Sequence, residues 1–231
     1  MLLLLPYLKK QIMSGFLSSS VARKFAMALS AFFLIFFLLM HVTINALSLF
    51  SEDAFNTASH FMGTNPLIQF IMQPILLIGV VFHFVLGFIL EIKNKKARSV
   101  KYYSNNGNAN STWMSRNMIY SGLAILLFLV LHFKQFWAEE IAYKYIERLP
   151  NNPKRYYEEL TETFHSPITV GIYVVAFIFL ALHLLHGFQS AFQSLGVNNK
   201  RTKCIKTLGK VYAIAIPFIF IVIALFHYFN Q

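Results

Sequence analysis

The sequence predicts an all-α integral membrane protein: a bundle of five transmembrane helices forming one domain over residues 1–231. Three observations lead there. Apolar residues make up 57% of the chain, and its mean hydropathy is +0.56. They gather into five runs of about 20 residues, enough helix to cross a hydrocarbon layer of roughly 30 Å. The runs show no alternation of period two, so with no water in the bilayer to satisfy their backbone they read as helices and not as barrel strands.

The opening Met1 to Pro6 is too short to span. It has no basic residue ahead of its apolar part and no cleavage pattern, so it does not read as a signal peptide, and Met13 is the expected natural start. The five spans are expected at about 25–49, 67–92, 118–137, 168–192 and 208–229. Pro66 and Pro167 mark the starts of the second and fourth, and Pro217 is a solitary kink in the fifth. Between the third and fourth lies a long acidic loop, about 138–166, in which Tyr143 to Arg148 suits a short surface helix.

Charge sets the orientation. The formal net charge is +11, but the basic residues flank apolar runs with no basic and aromatic groove pattern, which argues against nucleic acid. Fifteen of the twenty lie on one side: Lys9, Lys10, Arg23 and Lys24; Lys93, Lys95, Lys96, Arg98, Lys101 and Arg116; Lys200, Arg201, Lys203, Lys206 and Lys210. The other side holds five, with eight of the nine acids. The positive-inside rule then puts the N-terminus in the cytoplasm and the C-terminus outside the inner membrane. Cys204 is alone, which excludes a disulfide framework, a cysteine-ligated cluster and a Cys-x-x-Cys-His attachment site.

Each of the first four spans carries a histidine: His41, His83, His132 and His183, with His186 close behind the last. Ionisable groups inside spans are costly and rare, which makes each a functional candidate. The first and third spans run outward and place His41 and His132 near their outer ends. The second and fourth run inward, and His83 and His183 fall 17 and 16 residues after Pro66 and Pro167, at a deeper level facing the cytoplasm. Two histidines at each of two levels, from different helices, are what two haems stacked across a membrane require, since each iron takes two axial imidazoles. Gly87 and Gly187 each follow a ligand candidate by four residues on the same helix face, which leaves room for a flat ring. A lone membrane histidine is equally explained by a hydrogen bond to a neighbouring helix; four at matched depths are much less readily so. His60 and His165 lie in or beside loops, and His227 ends the fifth span, where reaching for interfacial water needs no function.

Two segments carry a family resemblance. Asp53-Ala54-Phe55-Asn56-Thr57-Ala58-Ser59-His60-Phe61-Met62 resembles the stretch between helices one and two of the cytochrome b subunit of succinate dehydrogenase or fumarate reductase, in its single-anchor, five-helix, dihaem form. Gly171-Ile172-Tyr173-Val174-Val175, leading to His183 and Gly187, is similar to that family's fourth helix. The resemblance covers most of the chain from about Phe16. It implies two haem b groups, one held by His83 and His183 and one by His41 and His132. It further implies a flavoprotein and an iron-sulfur subunit on the cytoplasmic face, and menaquinone as the lipid-soluble partner. Dicarboxylate chemistry would then occur in the partners, with this chain carrying electrons. Ala181 departs from the pattern: one branch of dihaem fumarate reductases has a glutamate there, so a proton route through that carboxylate is not carried over.

Arg23, Lys24 and Arg116 are candidates for haem propionates or for partner docking, with positive-inside anchoring as the plainer explanation. His60, Asn45 and Lys134 are the outer polar groups open to a quinone. The rival readings are a cytochrome b of a hydrogenase or formate dehydrogenase and a histidine-relay, proton-coupled transporter. A bc-type cytochrome would carry two ligands on each of two helices, and a transporter would usually carry carboxylates within its spans or broken helices in matching halves.

Overall fold

In the computed structural model, residues 19–96, 118–197 and 202–230 are described; Arg116, Met13 and the opening apolar segment lie outside them. Among the described residues, five helices are long and apolar enough to cross a membrane: α1 (Ser20–Leu49), α3 (Ile68–Lys96), α4 (Met118–Ile146), α6 (Pro167–Ser194) and α7 (Thr202–Phe229). Two shorter helices, α2 (Glu52–Thr64) and α5 (Arg155–Thr163), sit between them. The chain is a multi-pass helical membrane protein.

Local chemistry accounts for several ends. The Ser51 hydroxyl accepts from the Ala54 amide at 3.2 Å, and Glu52 and Asp53 complement the positive end of the α2 dipole. Ser166 caps α6 in the same way, accepting from Thr169 N at 3.4 Å with Pro167 in the first turn. Asn65 Oδ1 accepts from the amides of Leu67 and Ile68 at 3.0 and 3.3 Å and turns the chain from α2 into α3. At the far end of α6, Gly196 takes a left-handed φ of 76°, and the Val197 amide bonds back to Phe192 O at 3.2 Å.

Helices α1, α3, α4 and α6 pack as a closed square, α1 on α3, α3 on α4, α4 on α6 and α6 on α1; α7 lies outside against α6 and α1. The α6–α7 approach is so close that a Cβ on Gly209 would sit 2.5 Å from Phe188 Cδ1. Burial is uneven. The most apolar window of α7 is 39% buried, whereas those of α3 and α4 are each only 6% buried and turn Ile78, Leu127 and Val130 outward. With no water to avoid, such faces suit lipid contact.

At the end expected from the charge bias to face outward, α2 and α5 form a cap. Asn56 Oδ1 accepts from the Tyr157 amide at 2.9 Å, and Phe55, Leu160 and Phe164 join Val42, Tyr173 and Phe220 in one apolar core. Three expectations are corrected here. His60, expected in or beside a loop, lies within helix α2, whose capping serine and acidic first turn outweigh its modest hydropathy. Tyr143–Arg148 is not a separate surface helix: α4 runs on through π turns at Phe133–Ala138 and Ala142–Ile146, and closes where Arg148 takes a φ of 53°. His227 is not at water. It is 1% exposed, with Nε2 2.9 Å from Ser48 Oγ and Nδ1 3.3 Å from Thr161 Oγ1, because α5 folds over the end of α7.

Candidate functional site

A partly open cavity of about 510 Å3 runs between the four helices of the square, from Asn45 and Phe164 at the capped end to Asn94 and Ser194 at the opposite end. His41, His83, His132, His183 and His186 all line it. The rings meet in two pairs. Those of His41 and His132 lie 5.8 Å apart at 83°, and those of His83 and His183 lie 6.3 Å apart at 65°. Each pair joins helices across the square: α1 with α4, and α3 with α6.

Two imidazoles bound on opposite faces of one metal, with bonds near 2 Å, put their ring centres about 6 Å apart. The donor set suits a metal that brings its own equatorial ligands: among the described residues no group of three or more His, Cys, Asp or Glu is gathered for one ion. The walls suit a flat apolar group as well. Phe37 stacks beside His41 at 5.3 Å and Phe128 beside His132 at 5.6 Å. Gly87, Gly122 and Gly187 face the same space. A Cβ on Gly87 would touch only Met27 Cε at 3.7 Å, and one on Gly122 would meet the His183 ring at 3.7 Å. The residues present therefore fit haem at both levels.

The Nδ1 nitrogens of the four histidines have polar neighbours. Ser30 Oγ lies 3.0 Å from His83 Nδ1 and Ser121 Oγ 3.3 Å from His183 Nδ1. The Tyr173 hydroxyl donates to Gln135 Oε1 at 2.8 Å and lies 3.3 Å from His132 Nδ1. Asn45 Nδ2 donates to the His41 carbonyl at 2.8 Å and stands 3.5 Å from its Nδ1. Sequence reasoning missed Ser30, Ser121, Gln135 and Gly122. Their only signal was a polar or small residue within an apolar run, and nothing in the spacing says which helix it faces.

The remaining candidates are scattered. Asn45 lines the cavity, while Lys134 is exposed on α4, and His60 lies on α2 with its ring 6.1 Å from that of Tyr156. His60 and Lys134 do not line the cavity. Arg23 is half-buried near the start of α1, and Lys24 beside it is exposed.

The cap holds a dense charge cluster. Arg155, 7% exposed, pairs with Glu140, and its Nη1 donates to Glu159 Oε1 at 2.6 Å. Its guanidinium lies 4.0 Å from the Tyr143 ring centre and 4.3 Å from that of Tyr156. Lys144 pairs with Glu140 and donates to the Gly63 carbonyl. Burial, and then the charge of Glu140, push the Tyr156 phenol up to about 12.

Fold and site together define a polytopic helical membrane protein whose centre is a cavity bracketed by two histidine pairs. Over 161 residues, 70% of this chain and 72% of the relative, it is 22% identical to the succinate dehydrogenase cytochrome b558 subunit of Bacillus subtilis (strain 168). The resemblance read from the outer-side string and the fourth span is borne out by this relative. No family model matches the chain, and no solved structure matches it.

Proposed function

We propose that the chain is the dihaem cytochrome b membrane anchor of a succinate:quinone oxidoreductase, a succinate dehydrogenase or fumarate reductase, passing electrons between an iron-sulfur subunit and menaquinone. The observation that carries this is the meeting of four histidines from four helices as two facing pairs in one cavity. Haem, when bound, supplies a one-electron centre at each level. The chain's own part is to present His41 with His132 and His83 with His183, to exclude water with the phenylalanine-rich walls, and to hold the pairs at fixed depths. The flavoprotein and iron-sulfur subunits would dock on the cytoplasmic face, where Lys93, Lys95 and Lys96 close α3 and Lys203 and Lys206 open α7. Quinone chemistry would take place at the outer side, and dicarboxylate chemistry in the partners.

The test is haem stoichiometry by pyridine haemochrome and reduced-minus-oxidised absorbance on the purified membrane complex, with His83→Ala and His132→Ala alongside. Two b-type haems per native chain, with each substitution removing a different one, are expected. An intact native complex without haem would overturn the reading and favour the transporter.

A further inference from the structure

We propose that Ser30 and Ser121 are positioning residues for the inner histidine pair: each accepts the Nδ1–H of a histidine on the neighbouring helix and so turns that histidine's Nε2 lone pair toward the cavity. The inference rests on the haem reading above and adds two residues to it.

A serine inside an apolar helix has one proton to give, and the free side of a carbonyl in the preceding turn is its nearest acceptor. Both serines take it. Ser30 Oγ donates to Met27 O and Ser121 Oγ to Met118 O, each at 2.9 Å. With its proton engaged, each oxygen keeps only lone pairs for the next helix, and what it meets there is an imidazole nitrogen: His83 Nδ1 at 3.0 Å and His183 Nδ1 at 3.3 Å. A neutral imidazole carries one N–H. Facing an acceptor at Nδ1 it holds the proton there, which leaves Nε2 as the lone-pair nitrogen available to a metal.

The same arrangement occurs twice and independently. Helix α1 serves a histidine of α3, and α4 serves a histidine of α6. Both serines are buried, which disfavours water in the same role. The outer level is built differently: Tyr173 offers an acceptor to His132, but the polar neighbour of His41 is the donor Nδ2 of Asn45. Two acceptors behind one pair make both imidazoles stronger electron donors, which favours the oxidised metal. The plainer explanation is that serine is merely small enough for close helix contact. Alanine separates the two, since it keeps the close contact and removes the acceptor.

The experiment compares native complex with Ser30→Ala, Ser121→Ala, the double variant, and Ser→Thr at each site. Redox titration and low-temperature EPR are recorded for both haems. The expected result is an upward shift in the inner-haem midpoint potential for each alanine variant, larger in the double, and a fall in inner-haem affinity on the order of 10- to 100-fold. Threonine restores both, and the outer haem is unmoved and reports a folded bundle. Unchanged inner-haem potential and spectrum in the double variant would overturn the proposal while leaving the haem reading intact. Equal shifts at both haems would overturn it as well, as a general disturbance. A native complex without haem would sink the functional reading itself, which is a distinguishable outcome.

Discussion

The imidazole of His227 and the hydroxyl of Ser48 meet at 2.9 Å although 179 positions separate them in the chain. Ser48 Oγ also donates to Asn45 O at 2.7 Å, so the imidazole supplies the proton between them. The pair ties the end of α7 to the end of α1. His227→Leu leaves a buried hydroxyl short of its donor, at a cost of about 1–3 kcal/mol. Thermal denaturation in detergent should show a lowered Tm with haem content at low temperature unchanged; loss of haem instead would give His227 a role in the cavity.

Arg155 is the keystone of the outer cap, with two carboxylates and two tyrosine rings around one guanidinium. Arg155→Ala leaves Glu140 with only Lys144 and should destabilise the cap by on the order of 3 kcal/mol. Arg155→Lys should rescue little of this, because an ammonium can neither fork to two carboxylates nor stack flat on a ring. Limited proteolysis of the 147–154 connection, measured against native complex, reads the effect. Equal resistance in both variants would show the cluster to be dispensable.

The phenol of Tyr156 gives the cap an alkaline limit. Its folded value of about 12 lies above the ordinary value of 10, so the neutral form is favoured by folding. That contribution is complete below pH 10 and is lost as pH rises through about 12. Tyr156→Phe should flatten the fall in cap stability across this window. A fall of the same steepness in the variant would place the alkaline sensitivity elsewhere.

Gly122 stands against His183, and a Cβ there would make ordinary contact at 3.7 Å. On the dihaem reading proposed above, Gly122→Ala is therefore expected to keep both haems. Gly122→Val adds two methyl groups toward the ring and should displace it, which lowers the count from two haems per chain to about one and spares the outer level. Retention of two haems by the valine variant would mean that the ring has room to move aside.

Cys204 is the sole cysteine and is exposed near the start of α7. With the cytoplasmic N-terminus inferred from the charge bias, a membrane-impermeant maleimide should label it in inside-out vesicles and not in intact spheroplasts. Asn152→Cys in a Cys204→Ser background should show the reverse. Labelling with the opposite sidedness would invert the topology.

The spans and the histidine pairs were legible for the same reason: in a membrane, hydropathy and charge bias fix where each residue sits in depth, so His41 and His132 can be matched without knowing the packing. Rotation about the helix axis is not encoded so openly. That is why Ser30 and Ser121 passed unremarked, since facing His83 or His183 depends on which neighbour each helix finds. The cap was the least legible part. Tyr157, Thr161 and His227 come together through a connection whose hydropathy is ordinary, and the Ser51 cap that starts α2 emerged only in the structure.

The thin burial of α3 and α4 has a bearing on how the protein is maintained in a living cell. Few of their residues are buried by protein, and the wall each turns inward borders the cavity. What fills that space would then supply much of the adhesion that holds the two helices in the square. Under this reading the tetrapyrrole is part of the scaffold. A cell starved of it should be left with a splayed bundle open to membrane proteases, so that subunit abundance follows porphyrin supply even when transcription is constant.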